Sequence, residues 1–329
     1  MKKSINNLTV VHQIKTTLAA FCVLFSSTIL GVYLDDTRLP VVMAGEIVRI
    51  ADFESDYIAS KTIDVWLPPG YSDDVKYPVI YMHDGRMLFD ASTTWNGQEW
   101  KVDEVAGQLI DDNTVEPFII VGIWNAGINR HSEYLPQKPF DSMPEKLQQV
   151  EYSRLRGNNK LFNKKVYSDS YLRFIVKELK PYINEKFNTD GKRSFLMGSS
   201  MGGLISWYGL MEYPNEFQGS ASLSTHWPGN FESEENPLPS YFVSYIETNI
   251  ERLEQQRVYF DHGTLGLEMM YPAIQSQVDS LFIARNYPEH NWYSQSFKDT
   301  GHTEEAWSQR LHIPLTFLLK GEKVTTENQ

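Results

Sequence analysis

The chain has a single cysteine, Cys22, in 329 residues. That excludes an internal disulfide, a CxxC redox pair and a thiolate zinc cage. Positive charge is also scarce: 30 Lys and Arg stand against 42 Asp and Glu, a formal net charge of -12. Duplex binding needs clustered positive charge against phosphate, so nucleic acid is excluded as a partner. There is no internal repeat and no low-complexity tract. With 41% hydrophobic and 22% charged residues, the composition is that of a globular protein, not a disordered tail or a fibre. The length suits one large domain or two small ones. The 18 Tyr, 17 Phe and 8 Trp are enough for a large core and an aromatic pocket.

The one long apolar run is at the start. Residues 16–34, TTLAAFCVLFSSTILGVYL, carry no charge, follow Lys2, Lys3 and Lys15, and precede Asp35 and Asp36. A positive flank, an apolar run and an acidic exit form the pattern of a signal peptide or an uncleaved membrane anchor. Val42-Met43-Ala44 offers a cleavage site before Gly45. Both readings place the rest of the chain outside the cytoplasm, periplasmic or extracellular. Residues 1–44 are therefore expected to be leader and spacer, and residues 45–329 the working domain. Without the leader the balance is 26 Lys and Arg against 40 Asp and Glu, or -14.

From Glu46 onward, short apolar runs alternate with amphipathic segments. Glu46 to Leu67 reads as two strands. Pro78 to Met82, Phe118 to Gly122, Arg193 to Met197, Gly219 to Leu223, Val258 to Phe260 and Trp292 to Phe297 read as six more. Helical periodicity appears near Val102 to Ile110 and from Asp169 to Lys186, where Pro181 is expected to kink or end the helix. Strands alternating with helices predict an α/β fold, a mostly parallel sheet covered on both faces. The stretch from Ala126 to Val166 reads as a long irregular lid or substrate loop.

The chemistry centres on Gly198-Ser199-Ser200-Met201-Gly202-Gly203, directly after a strand and before a helix. In that context G-x-S-x-G is a sharp turn that exposes Ser200 and points the Met201 N–H at a developing oxyanion. A serine needs a base in reach. Among eight histidines His302 fits, in a loop after the last strand. The orienting acid should follow the strand before that, where Asp261 and Glu268 compete and position alone does not separate them. A second oxyanion donor is expected from the loop after the third strand, His83-Asp84-Gly85-Arg86: the Arg86 N–H first, that of Gly85 next. His226, Trp227 and Trp124 follow strand ends and are candidates to line the substrate pocket.

These segments resemble the putative-esterase family of α/β-hydrolases, the group around S-formylglutathione hydrolase, enterochelin esterase and feruloyl esterases. The resemblance covers Gly45 to Leu319. It rests on Tyr81-Met82-His83-Asp84-Gly85, Gly198 to Leu204, Tyr259-Phe260-Asp261-His262-Gly263-Thr264 and Gly301-His302. It implies hydrolysis of a carboxylic ester on a small molecule or glycan, with Ser200 as nucleophile, His302 as base and no cofactor or metal. Relatives often carry Asp a few residues beyond a similar Gly-Thr loop, which selects Glu268 over Asp261 here. Arg130 and Glu133-Tyr134 also match family positions and read as loop-bracing residues. Two other outcomes share the scaffold: acyl transfer by the same triad, and a non-catalytic ligand-binding protein. Membrane attachment through residues 16–34 is a further expectation.

Overall fold

The computed structural model describes residues 37–232 and 234–320. The apolar run 16–34 lies outside them. Eight strands form the main sheet: β1 (Glu46–Phe53), β2 (Lys61–Leu67), β3 (Tyr77–His83), β4 (Ile119–Ile123), β5 (Thr189–Ser199), β6 (Gly219–Leu223), β7 (Arg257–His262) and β8 (Trp292–Ser296). Their order across the sheet is β1-β2-β4-β3-β5-β6-β7-β8. β2 runs antiparallel to β1 and β4, and the remaining pairs are parallel. This order with β2 reversed is the α/β-hydrolase fold.

The central strands read as unbroken apolar runs because both faces of the sheet are covered. Along β3, Val79 and Tyr81 enter the core on one face, and Ile80 and Met82 enter the core on the other. The first core is closed by the helix Met201–Glu212 and the second by Val102–Asp111 and His312–Leu319. The helix Met201–Glu212 is buried along almost its whole length, Met201 to Met211. It is apolar on all sides because sheet and helices surround it.

Pro181 does not end the helix that contains it. Ser168–Phe174 runs through a π-helical turn, Ile175–Leu179, into Lys180–Lys186. The Lys180 N–H reaches back to Ile175 O. The wide turn just ahead of Pro181 accommodates a residue that has no N–H to donate. The 126–166 segment is also more ordered than its composition suggests. It holds the short helices Arg130–Tyr134, Gln137–Asp141 and Glu145–Ser153, with His131 to Tyr134 buried. Pro136 and Pro144 sit at the starts of two of these helices, where a proline is tolerated.

Residues 41–44 lie against the body of the domain. Val41 N–H donates to Asp90 Oδ2 at 2.9 Å, Met43 N–H to Asp103 Oδ2 at 2.6 Å, and Trp66 Nε1–H to Ala44 O at 2.7 Å. Asp103 is fully buried, and burial pushes its carboxyl up to about 7; the Met43 N–H opposes the shift and Glu104 adds to it. The ordinary value is 3.8, so between about pH 4 and 7 the unfolded chain ionises first and wild-type stability falls. Asp103→Asn stays neutral. Its melting temperature should gain on wild type from pH 4 to 7 and then run parallel; a gap independent of pH would contradict this.

Candidate active site

Ser200 is at the C-terminal end of β5, immediately before the helix Met201–Glu212. Its backbone has φ 58° and ψ -122°, a strained conformation for a residue with a side chain. The turn is pinned from both sides. Ser200 N–H donates to Leu223 O at 3.0 Å, and Ser200 O accepts from His226 N–H and Leu204 N–H at 3.1 Å each. The flanking glycines explain the motif: a Cβ on Gly198 would meet the Gly202 carbonyl at 2.8 Å, and one on Gly203 would meet Thr225 Oγ1 at 3.1 Å. Met201 opens the helix, so its N–H has no acceptor one turn back.

His302 lies in the loop after β8, with 16% of its side chain exposed. Its Nδ1 is 2.8 Å from Glu268 Oε1. Glu268 is fully buried on the turn Gly266–Met270, and its second oxygen accepts the Gly263 N–H at 2.9 Å. The carboxylate therefore orients the imidazole through Nδ1 and leaves Nε2 unclaimed by it. Trp307 packs edge-on against the ring at 5.0 Å and anchors itself through Nε1–H on Ser224 Oγ at 2.9 Å. Among the described residues no hydrogen bond joins Ser200 Oγ to His302; catalytic contacts often tighten only around substrate.

Asp261 is otherwise engaged. Its two oxygens receive Arg310 Nε–H and Nη2–H at 3.0 and 2.9 Å, Tyr259 O–H at 2.9 Å and Ser224 N–H at 3.0 Å. Four donors on one buried carboxylate leave nothing to offer His302. The two competing acids are thus separated by their partners.

The loop after β3 turns sharply at Asp84, which has φ 58° and ψ 40°, and continues as the short turn Gly85–Met87. A Cβ on Gly85 would collide with the Gly122 carbonyl on β4, so only glycine lets the loop lie this close. The same loop reaches the start of the serine helix: Asp84 Oδ2 is 3.3 Å from the position a Gly202 Cβ would occupy. Arg130 holds Asp84 with two bonds, 2.7 Å from Nε and 2.6 Å from Nη2, and Asn125 adds a third at 2.7 Å. Burial alone would raise the Asp84 carboxyl, but Arg130 and Asn125 outweigh it and hold it below its ordinary range. Tyr134 Oη accepts the Asp84 N–H at 3.3 Å, and Glu133 forms a buried ion pair with Lys61 at 2.7 Å. This network holds the loop that carries Gly85 and Arg86. The Arg86 side chain turns elsewhere, to Thr93 O at 2.8 Å and over the Trp124 ring at 4.8 Å.

The three pocket candidates fall in different places. His226 is buried beside the serine turn, with Nδ1 2.9 Å from Tyr271 Oη. Trp227 is a correction: it is fully buried, stacked on Trp207 at 5.9 Å and bonded to Gln275 at 2.8 Å. It belongs to the core, because the chain after β6 turns inward at that residue. Trp124 donates to Asp64 Oδ2 at 2.9 Å and borders a cleft of about 740 Å³ with Asn125 and Lys61. Tyr271 was not legible in the sequence as a site residue. Its hydroxyl lies 3.4 Å from His302 Nδ1 and 2.9 Å from His226 Nδ1, and a tyrosine before an apolar helix reads only as core. Among the described residues, no group of three or more His, Cys, Asp or Glu is arranged to hold a metal ion.

Comparison with known proteins agrees with the fold. The chain is 27% identical over 180 residues to the ferri-bacillibactin esterase BesA of Bacillus subtilis, covering 53% of this chain and 55% of that protein. It spans just over half the length of the curated relatives it matches. Among solved structures it resembles the BES protein from Bacillus cereus, with a TM-score of 0.60 at 18% identity, covering 87% of this chain and 99% of that one. It also resembles the enterobactin esterase FES from Shigella flexneri, with a TM-score of 0.59 at 15% identity and coverage of 85% and 61%. A ferulic acid esterase gives 0.57 at 17% identity, with coverage of 84% and 98%. The model of the family described as putative esterase matches residues 59–317, and the chain belongs to that family.

Proposed function

We propose that this protein is a serine carboxylesterase with Ser200, His302 and Glu268 as its triad. The observation that carries the reading is the Glu268 carboxylate 2.8 Å from His302 Nδ1, on the same edge of the sheet as a serine held at positive φ. Ser200 Oγ attacks the ester carbonyl while His302 Nε2 takes its proton. The tetrahedral oxyanion is met by the N–H groups of Met201 and of Arg86 or Gly85. Each such donor contributes about 3 kcal/mol to the transition state. Collapse expels the alcohol, which takes the proton from His302, and leaves an acyl group on Ser200. Water then attacks, giving up its proton to His302, and the carboxylic acid departs with the serine restored.

The substrate class is a carboxylic ester of a small molecule or glycan, in keeping with relatives named for bacillibactin, enterobactin and ferulic acid esters. The charge pattern around residues 16–34 supports export, with that segment as leader or anchor. The test is hydrolysis of p-nitrophenyl acetate and butyrate by the full chain. Turnover is expected in wild type and its loss by at least about 10³-fold in Ser200→Ala. Equal rates in the two proteins would overturn the proposal.

A further inference from the structure

Strands β3 to β8 all run in one direction, so the chain leaves each of them at the edge of the sheet where Ser200 stands. The segments leaving β3, β4, β6 and β7 carry Trp95, Ile128, Leu155, Phe231, Leu265 and Met269, between 37% and 77% exposed. At the opposite edge, the turns that lead into β3 to β8 carry one exposed large apolar residue among the described residues, Val75. A lone exposed apolar side chain needs no explanation. Six on one edge against one on the other mark a face that meets something apolar.

These side chains stand on the segments that build the site. Leu155 belongs to the two-stranded hairpin Leu155–Arg156 and Asn159–Lys160. Its neighbour Arg156 lies over the Phe231 ring at 4.5 Å, and Phe231 packs on His226 at 5.1 Å. The His226 main-chain N–H is in turn bonded to Ser200 O at 3.1 Å. Met269 follows Glu268 on the same turn. Asn96, next to Trp95, donates to Glu304 Oε2 at 3.0 Å, two residues from His302.

Two further observations say what this face meets. Residues 152–168 hold Arg154, Arg156, Lys160, Lys164 and Lys165 and no acid, in a chain where acids outnumber bases by 42 to 30. All of these but Arg154 are exposed. Basic side chains beside exposed apolar ones suit an anionic lipid surface. The apolar run 16–34 is also tethered at this edge, ending four residues before Arg38. Arg38 O accepts Arg49 Nη1–H at 2.7 Å, and its guanidinium is 3.9 Å from Asp90, on the segment leaving β3. Four residues span at most about 14 Å. We propose that the edge of the sheet that holds the triad is a lipid-docking face, through which the enzyme takes an amphiphilic ester from a membrane surface. The inference deepens the carboxylesterase reading and rests on it, with residues 16–34 as the anchor.

The test uses the full chain with vesicles of phosphatidylcholine and phosphatidylglycerol in equal parts. A nitroxide is placed at Leu155→Cys, Ile128→Cys or Val75→Cys, each with Cys22→Ser to remove the native thiol. On vesicles the labels at positions 155 and 128 should collide more with oxygen and less with a water-soluble nickel complex. The label at position 75 should stay open to water. Labels at 155 and 128 that remain in water would overturn the inference. So would labels already shielded without vesicles, the sign of a second copy or a protein partner on this face. A nitroxide on Cys22 of the unchanged chain reports the anchor separately. In a second measurement, turnover of p-nitrophenyl palmitate carried in the vesicles is divided by that of p-nitrophenyl acetate in water. The ratio should fall about tenfold in Leu155→Asp, the size of one leucine side chain leaving lipid. An unchanged ratio would overturn the inference. Undiminished turnover of both esters in Ser200→Ala would instead defeat the esterase reading itself, so the two failures are distinguishable.

Discussion

Glu268→Gln is expected to lower kcat for a p-nitrophenyl ester by about 10³–10⁴-fold, the scale seen when a triad acid loses its charge. The reason is in its two hydrogen bonds. One carboxylate oxygen takes His302 Nδ1–H and the other takes Gly263 N–H. A glutamine has one oxygen for these two donors. If the oxygen faces Gly263, the amide NH₂ faces His302 and forces the proton onto Nε2, the wrong tautomer for a base. If it faces His302, two N–H groups confront each other at Gly263. Either arrangement removes the stabilisation of the imidazolium. The variant should still fold, because the Gly266–Met270 turn does not depend on the charge, and far-UV dichroism beside kcat separates the two effects. A kcat within about threefold of wild type would show that Glu268 does not orient the base.

Asp261→Asn should do the reverse: a loss of about 3–5 kcal/mol of stability, the cost of breaking one side of a buried ion pair, with the chemistry of the folded fraction kept. Arg310 and Asp261 have only 4% and 0% of their side chains exposed. The neutral amide leaves the guanidinium without a counter-charge, and its NH₂ opposes the Arg310 and Tyr259 donors. Ser224 joins the same group: it accepts from Arg310 at 2.8 Å and from Trp307, which packs on His302. Urea unfolding reads the stability, and kcat measured well below the midpoint reads the chemistry. Together the asparagine and glutamine variants separate the acids by kind of damage, since in the proposed triad Glu268 orients the base, while Asp261 is bonded to Arg310. A stable Asp261→Asn protein with kcat reduced a thousandfold would exchange the two assignments.

These contrasts also show what a sequence can and cannot carry. The strand–turn–helix around Ser200 was legible because its requirements are local: apolar residues before, glycines at contact positions, a helix after. The sheet was legible because strands covered on both faces read as unbroken apolar runs. The partners of the acids were not, since Asp261 is claimed by Arg310 from 49 positions away and nothing local to either residue announces the pairing. The 126–166 segment was read as irregular for a related reason. Pro136 and Pro144 are local breakers, but they stand at helix starts, and Arg130 and Glu133 gain order from Asp84 and Lys61, which are distant in sequence. Trp227 was misplaced because burial depends on how the chain turns after β6, a tertiary property. His226 and Tyr271 show the same limit, since their coupling exists only once two loops meet.

The central claim is that Ser200 is an activated nucleophile, and labelling tests it without knowledge of the natural substrate. The full chain treated with a fluorophosphonate should gain one phosphonyl adduct, placed on Ser200 by peptide mass spectrometry. Labelling should be slowed about 10³-fold in His302→Ala, which lacks the base. An unlabelled wild-type protein, or an adduct on any other residue, would contradict the account.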